Sequence, residues 1–476
     1  RKAVTMKTII RNGTIVTAEG SFKGDLLMEG EIITEIGESV FLDSGWVFDA
    51  EGMFVLPGGV DPHVHLHLPM AGTVSSDDYY TGGKAAAFGG TTTVIDFVSQ
   101  GPGTLADSVK AHRELADATA SVDYASHMNI THFNDQIGEQ IADLPGLGIT
   151  SIKVFTAYND RLRLHDGDIF RAMRIAGQND ILTLIHAENG DVIDLLINEA
   201  LEAGHTEPIW HALTRPGWGA VEASLRAFAL AAQADAPVYL VHMNMDGEVD
   251  QLKYARSKGI YAMGETCPQY LFFTAENLQQ PDGAKFVCSP PVRSKADNAA
   301  LWQGLEDGSI QVLATDHCPF FFDGQQPIEY EGQMIAIPGK ELGKDNFTKI
   351  PNGLPGLGDR MPLLWTHGVG TGRISLERFV ALTSTNPAKI FGLYPKKGCL
   401  RPGSDADVVI WDPDQKVKYG VNIACHRTDY NLYEGWNLKG MPRTVIQRGD
   451  ILIEDGLWKG KPGQGQFLHR QSGEIL

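Results

Sequence analysis

An α/β fold, a (β/α)8 barrel of TIM type with a small β-sandwich module formed from both chain ends, is what this sequence predicts. Three observations lead there. Apolar strand-like runs alternate with helical patterns through the middle of the chain, and short strands broken by Gly and Asp occupy both ends. The length of 476 residues exceeds one ordinary domain but suits a barrel of about 250 residues with an extra module.

Residues 8–54 read as short strands. Asn12-Gly13 carries a hairpin signal inside the apolar stretch 9–16, and Glu29-Gly30 repeats it inside 26–33. Residues 406–411 and 444–452 have the same texture at the other end. Neither terminal segment closes a core alone, so the two are expected to pair. The division expected is residues 1–56 and 386–476 in the module and 57–385 in the barrel.

The middle offers eight candidate strands, at 54–60, 92–98, 124–130, 151–155, 181–185, 237–241, 260–264 and 311–314. Helical patterns at 104–118, 191–203, 220–234 and 297–307 fall between them. An open doubly wound sheet is the alternative, but no GxGxxG fingerprint follows the first strand. Residues 320–350 lack periodicity and read as a long loop after the eighth strand.

Composition narrows the function. The formal charge of −19, from 40 basic and 59 acidic residues, argues against nucleic acid or an anionic membrane as partner. No apolar run approaches the roughly 20 residues that span a bilayer. The five cysteines form no CxxC pair, which points to neither a disulfide framework nor a zinc knuckle. A reducing, cytoplasmic compartment is the expectation. No secretory signal is read, and the natural start is expected at Met6.

In a barrel, functional residues belong where strands end and loops begin. His63 and His65 end the first strand. At a spacing of two along an extended strand, both imidazoles face one side and can converge on one ion. Lys153 lies inside the fourth strand, His186 ends the fifth, His242 the sixth and Asp316 the eighth. One shared metal site accounts for all of them together. An ammonium among histidines would repel a cation and is costly in an apolar strand. Its reaction with carbon dioxide gives an anionic carbamate with two oxygens, able to bridge two cations. Imidazole and carboxylate donors suit Zn²⁺ best, with Mn²⁺, Co²⁺ or Fe²⁺ as alternatives.

Several longer motifs accompany these residues. They include Asp61-Pro62-His63-Val64-His65, Ser76-Asp77-Asp78, Ser151-Ile152-Lys153-Val154-Phe155-Thr156-Ala157-Tyr158 and His186-Ala187-Glu188-Asn189. Others are Gly264-Glu265-Thr266-Cys267-Pro268-Gln269-Tyr270, Ser289-Pro290-Pro291-Val292-Arg293, Ala314-Thr315-Asp316-His317 and Ile350-Pro351-Asn352-Gly353. With them the chain resembles the dihydropyrimidinase and D-hydantoinase family of cyclic amidases, within the amidohydrolase superfamily. The resemblance spans nearly the whole length.

That resemblance implies the barrel and a two-metal site. His63, His65 and Asp316 would hold the more buried ion, His186 and His242 the more exposed one, and the N6-carboxylated Lys153 would bridge them. Tyr158 would donate its hydroxyl to the developing oxyanion. Ser289 and Asn352 would present main-chain groups to the cyclic amide. Asp316 would carry a proton from the attacking water to the leaving ring nitrogen, opening a cyclic ureide or imide to an N-carbamoyl amino acid. A homotetramer is also implied.

Two positions depart from the pattern. Related dihydroorotases carry an arginine where this chain has His67, suited to gripping a carboxylate. The usual dihydropyrimidinase residues there are Asp, Glu or Gln. Gly358 stands where relatives have an acidic residue. Leu66, Leu68, Met70 and Phe155 are expected to line an apolar pocket for the ring substituent. An allantoinase- or dihydroorotase-like activity and a non-catalytic scaffold are the competing readings.

Overall fold

A computed structural model describes residues 6–476. Residues 1–5, which precede the expected start at Met6, lie outside the described residues. The barrel is present. Its parallel strands run, in order, Gly59–Val64, Thr91–Val98, Asp123–Asn129, Ser151–Phe155, Leu182–His186, Val238–Leu240, Ala262–Thr266 and Val312–Leu313. Each pairs with the next, and a parallel bridge from Val64 to His317 brings the first strand against the end of the last. An open doubly wound sheet is thereby excluded. Helices occupy the intervals, among them Leu105–Thr119, Gly190–Glu202, Gly217–Ala234 and Lys295–Asp307. Two of them start on capping boxes, Thr104 with Asp107 and Ser294 with Asp297. No helix among the described residues is long and apolar enough to cross a membrane.

Both chain ends build a second, nine-stranded sheet. The strand Phe54–Pro57 lies at its centre, parallel to Lys7–Val16 and antiparallel to Val408–Lys418. Ile10, Ile15, Leu26, Val55, Val408 and Ile446 form its own buried core.

Three local expectations need correction. The candidate strand 54–60 is two strands: Phe54–Pro57 belongs to the terminal sheet, and the barrel begins only at Gly59. Between them the backbone presses on Thr92, whose Oγ1 would lie 2.1 Å from a Cβ at Gly58. Asn12-Gly13 makes no hairpin. The strand Lys7–Val16 runs through it with a bulge, Asn12 at φ 61° donating its main-chain N–H to Asp25 and its side-chain amide to Asp49. The chain reverses later, where Thr17 N donates to Gly20 O. Residues 320–350 are not structureless: Ile328–Tyr330 and Gln333–Ile335 form a hairpin through Glu331 and Gly332, both at positive φ.

A buried ionic cluster ties barrel to sheet. Lys397 Nζ lies 2.6 Å from Asp123 and 2.9 Å from both Asp405 and Asp407, and Arg448 pairs with Asp123 at 3.0 Å. Burial opposes the charge on Lys397, but the three carboxylates outweigh it and hold the ammonium well above its ordinary range. Asp123 opens the third barrel strand and Asp407 precedes a sheet strand, so the cluster fixes the two bodies at one point. At the same end Arg470 is buried and donates to Ser151 Oγ at 2.8 Å, beneath the fourth strand.

Candidate active site

The barrel gathers the predicted residues at one end. His63 lies in the first strand and is fully buried; His65 stands just past its end, its main-chain N–H donating to His317 O at 2.7 Å. The two rings pack edge-on with centroids 5.2 Å apart. Asp316 Oδ1 lies 3.1 Å from both His63 Nε2 and His65 Nε2. Lys153 Nζ lies 3.2 Å from His63 Nε2, over the Phe97 ring. On the far side His186 Nδ1 meets His242 Nε2 at 3.0 Å. One donor atom each from His63, His242 and Asp316 falls within 4.8 Å of the others.

Electrostatics follow from burial and neighbours. Desolvation draws Lys153 down to about 8 and His65 to about 4. It also depresses His186 and His242. Burial resists ionisation of Asp316, but His63 and His65 outweigh it and hold the carboxyl well below its usual range. Burial and Lys153 oppose charge on His63, but Glu265 and Asp316 outweigh them and raise it, so the site presents one carboxylate and neutral imidazoles at His65, His186 and His242. His186 Nδ1 and His242 Nε2 face each other and can share at most one proton, and His242 Nδ1 has no partner among the described residues. A buried imidazole lone pair without a partner is a poor arrangement alone and a good one around a cation. The donor set fits divalent metal.

Three of these residues hold backbone conformations that L side chains rarely adopt: Tyr158 at φ 65°, His242 at 41° and Asp316 at 53°. Such positions cost about 1–3 kcal/mol each and persist where the surroundings enforce them. Here each turns a side chain from a strand end into the mouth.

Two carboxylates not singled out from sequence hold the histidines. Glu265, on the seventh strand, makes a short contact with His63 Nδ1 and accepts from the Tyr239 hydroxyl at 2.9 Å. Glu188 accepts from His186 Nε2 at 2.7 Å. Burial opposes its charge, but Arg215 and His186 outweigh it and hold its carboxyl at about 2. Each fixes which ring nitrogen keeps its proton, leaving the other free to face the centre. The strand-end rule that picked out the histidines also reaches these positions: Glu265 is the penultimate residue of the seventh strand, and Glu188 follows His186 by two.

A cavity of about 210 Å³ opens over this cluster, lined by His65, Lys153, His186, His242, Asp316 and Tyr158 among others. Ser289 and Asn352 reach it too, as do Leu68, Met70 and Phe155. Leu66 does not. It is buried and points at the helix Tyr79–Phe88, where a Cβ on Gly82 would come within 2.5 Å of its Cδ2. His67 is exposed and lines no part of the cavity; its main chain, at φ 52°, turns the segment and donates to Asp77 O at 2.9 Å. Gly358 is buried, donates to His426 Nε2 at 2.9 Å, and has no room for a side chain: a Cβ would lie 2.6 Å from Ala424 O. A larger cavity, of about 820 Å³, lies against the terminal sheet beside Trp46, Met53 and Arg443 and shares no residue with the first.

A parallel barrel with an acid, a lysine and four histidines converging on its mouth defines a metal-dependent hydrolase, and the chain belongs to the amidohydrolase family, which it matches over residues 54–452. It is 43% identical over 469 residues to a D-hydantoinase of Geobacillus stearothermophilus, covering 98% of this chain and 97% of the relative. It is 40% identical over 470 residues to a D-phenylhydantoinase of Escherichia coli, covering 98% of each. The crystal structure of dihydropyrimidinase from Brevibacillus agri superposes with a TM-score of 0.94 at 42% identity, covering 98% of this chain and all of that one. The chain is an enzyme, a hydrolase of amide C–N bonds, and the scaffold reading is not favoured.

Proposed function

We propose that this enzyme opens cyclic ureides and imides, namely 5-substituted hydantoins and dihydropyrimidines, to N-carbamoyl amino acids. The observation that carries the reading is the convergence of His63, His65, Lys153, His186, His242 and Asp316 beneath one cavity that Tyr158, Ser289 and Asn352 also reach. Similarity to hydantoinases and a dihydropyrimidinase over almost the whole chain supports it.

His63, His65 and Asp316 would hold one divalent cation and His186 and His242 a second, with Lys153 between them as its carbamate. Zn²⁺ is the expected ion; Mn²⁺, Co²⁺ and Fe²⁺ suit the same donors. Bound cations supply a water acidified towards neutral pH and polarisation of the ring carbonyl. The Lys153 amine attacks carbon dioxide, forming an N–C bond and releasing one proton. Its depressed pKa of about 8 leaves a usable fraction of free amine near neutrality.

The protein's own groups carry the remaining steps. Asp316, an anion at neutral pH, accepts the proton of the attacking water and delivers it to the leaving ring nitrogen. The Tyr158 hydroxyl, pushed up to about 12 by burial, stays protonated and donates to the developing oxyanion. Main-chain groups of Ser289 and Asn352 hold the ring amide, while Leu68, Met70 and Phe155 receive its substituent. The side chain of His67 plays no part in anchoring, which weighs against a carboxylated ring.

A panel of dihydrouracil, hydantoin, D- and L-phenylhydantoin, allantoin and dihydroorotate, run with metal analysis, tests the reading. Turnover of dihydrouracil, hydantoin or a phenylhydantoin with bound metal, and its loss on chelation, is the expected result, and the panel reads out which ring and which enantiomer are preferred. Turnover confined to dihydroorotate or allantoin would replace it. The five unpaired cysteines favour a reducing, cytoplasmic setting. The homotetramer is part of the same reading, and sedimentation of the holoenzyme checks it.

Glu265→Gln tests how His63 is held. A glutamine can turn its NH2 towards Nδ1 and reverse the imidazole tautomer, so metal affinity should fall about 10–100-fold. Titration in a metal buffer measures it, and an unchanged affinity would remove the role.

A further inference from the structure

We propose that Lys340 is a positioning residue for the substrate ring, its side chain setting the separation of the two loops that carry Ser289 and Asn352. The inference rests on the reading that those loops hold the ring amide.

Lys340 opens the short 3-10 helix Lys340–Gly343, inside the long segment after the eighth strand, for which the sequence suggests no role. Its side chain is 1% exposed, and it makes no ion pair among the described residues. Instead Nζ donates to Val287 O and to Pro351 O, each at 2.9 Å. Val287 stands two residues before Ser289, and Pro351 directly before Asn352. The same Val287 carbonyl accepts from Gly353 N at 3.2 Å. Among the described residues these are the hydrogen bonds that join the two loops.

The surroundings leave the lysine little freedom to move. Its own main-chain N–H donates to Phe321 O at 2.7 Å, and a Cβ on the preceding Gly339 would lie 1.9 Å from that oxygen. A Cβ on Gly343 would lie 2.4 Å from Ile350 N. A Cβ on Gly353 would lie 2.3 Å from Cys318 O, two residues past Asp316. The far side of the first loop is pinned separately, by Tyr270 donating to Pro290 O at 2.8 Å and by the 2.8 Å contact of His211 Nε2 with Cys288 O.

Burying an ammonium without a carboxylate is unfavourable, and an apolar side chain would fill the space without that cost. What an apolar side chain cannot do is hold two carbonyls of separate loops at a fixed distance. Burial draws Lys340 down to about 7, and even as the free amine it offers one N–H to each carbonyl. The bridge therefore survives either protonation state. Because the loops would hold the ring in both the ground and transition states, loosening them should raise KM with little change in kcat.

The test uses metal-replete enzyme and three measurements: kinetics on dihydrouracil and hydantoin, inhibition by acetohydroxamate, which needs only the metal centre, and metal content. For Lys340→Met we expect KM to rise about tenfold, kcat to stay within about threefold, and metal content and the acetohydroxamate Ki to stay unchanged. Lys340→Gln, which keeps two N–H donors on a shorter side chain, should give an intermediate KM. It carries the comparison if Lys340→Met does not fold. An unchanged KM in a folded, metal-replete variant overturns the proposal. So does a Ki that moves with KM, which would place the effect at the metal centre, and so does failure of both variants to fold. Failure of the wild-type holoenzyme to open any cyclic ureide would sink the functional reading instead, and is seen before any variant is made.

Discussion

Lys153→Ala is expected to abolish metal retention and lower ring-opening activity about 10³-fold or more, with the fold intact. Lys153 Nζ sits 3.2 Å from His63 Nε2 and over the Phe97 ring, buried in the fourth strand, with no carboxylate in hydrogen-bond contact among the described residues. A cation held by these histidines would meet an ammonium at that point, so the unmodified side chain and the metals exclude each other. A carbamate would reverse the sign of the charge and add two oxygens. Alanine supplies neither oxygens nor charge. The strand itself should survive, because it is buried among apolar neighbours and carries its own ladder to the strands on either side. Metal analysis and circular dichroism on the purified variant, beside kinetics, separate loss of the site from loss of the fold. Wild-type apoenzyme should likewise regain activity faster with bicarbonate than in carbon dioxide-free buffer. Full metal and normal turnover in Lys153→Ala would end the carbamate assignment.

The barrel was legible because its strands are short, apolar and separated by amphipathic helices, a pattern that survives errors of two residues at either end. The same insensitivity hid the seam at Pro57-Gly58. Phe54-Val55-Leu56 and Val60 are equally apolar, so hydropathy joins them, and only packing on Thr92 and pairing with Val408–Lys418 separate them. Asn12-Gly13 misled for a related reason. A residue at positive φ suits a tight turn and a bulge equally well, and the partners that decide between them, Asp25 and Asp49, are distant in sequence.

At the site, the residues that chemistry demands were visible one by one at strand ends. Those that hold them share that position but show no role there. Glu265 and Glu188 look like ordinary acids until the fold closes them onto His63 and His186. Lys340 was less legible still, since its partners are main-chain carbonyls that leave no trace in sequence. Gly358, by contrast, is a departure from the pattern that the structure accounts for sterically. An acidic side chain, which the resemblance leads one to expect there, has no room against Ala424, and the buried His426 takes the main-chain N–H instead.

Tyr158→Phe should lower kcat by about 10²–10³ while leaving metal content unchanged and KM little affected. The substitution removes one oxygen. Its ring packs 5.2 Å from that of His186, with the Arg215 guanidinium 5.8 Å from the ring centre, and those contacts survive in phenylalanine. The backbone at φ 65° is equally available to both residues, so the turn that aims the ring should persist. What disappears is a donor kept protonated by burial, with a pKa of about 12, facing the region where the carbonyl oxygen gains charge. A hydrogen bond that strengthens only as that charge develops acts on kcat rather than on ground-state binding. With the hydroxyl protonated throughout the neutral range, its removal should lower kcat by the same factor from pH 6 to 9, without adding or deleting a limb of the profile. Stopped assays on hydantoin across that range, paired with metal analysis, make the measurement. An unchanged kcat, or a loss that appears only with loss of metal, would take the oxyanion role away from Tyr158.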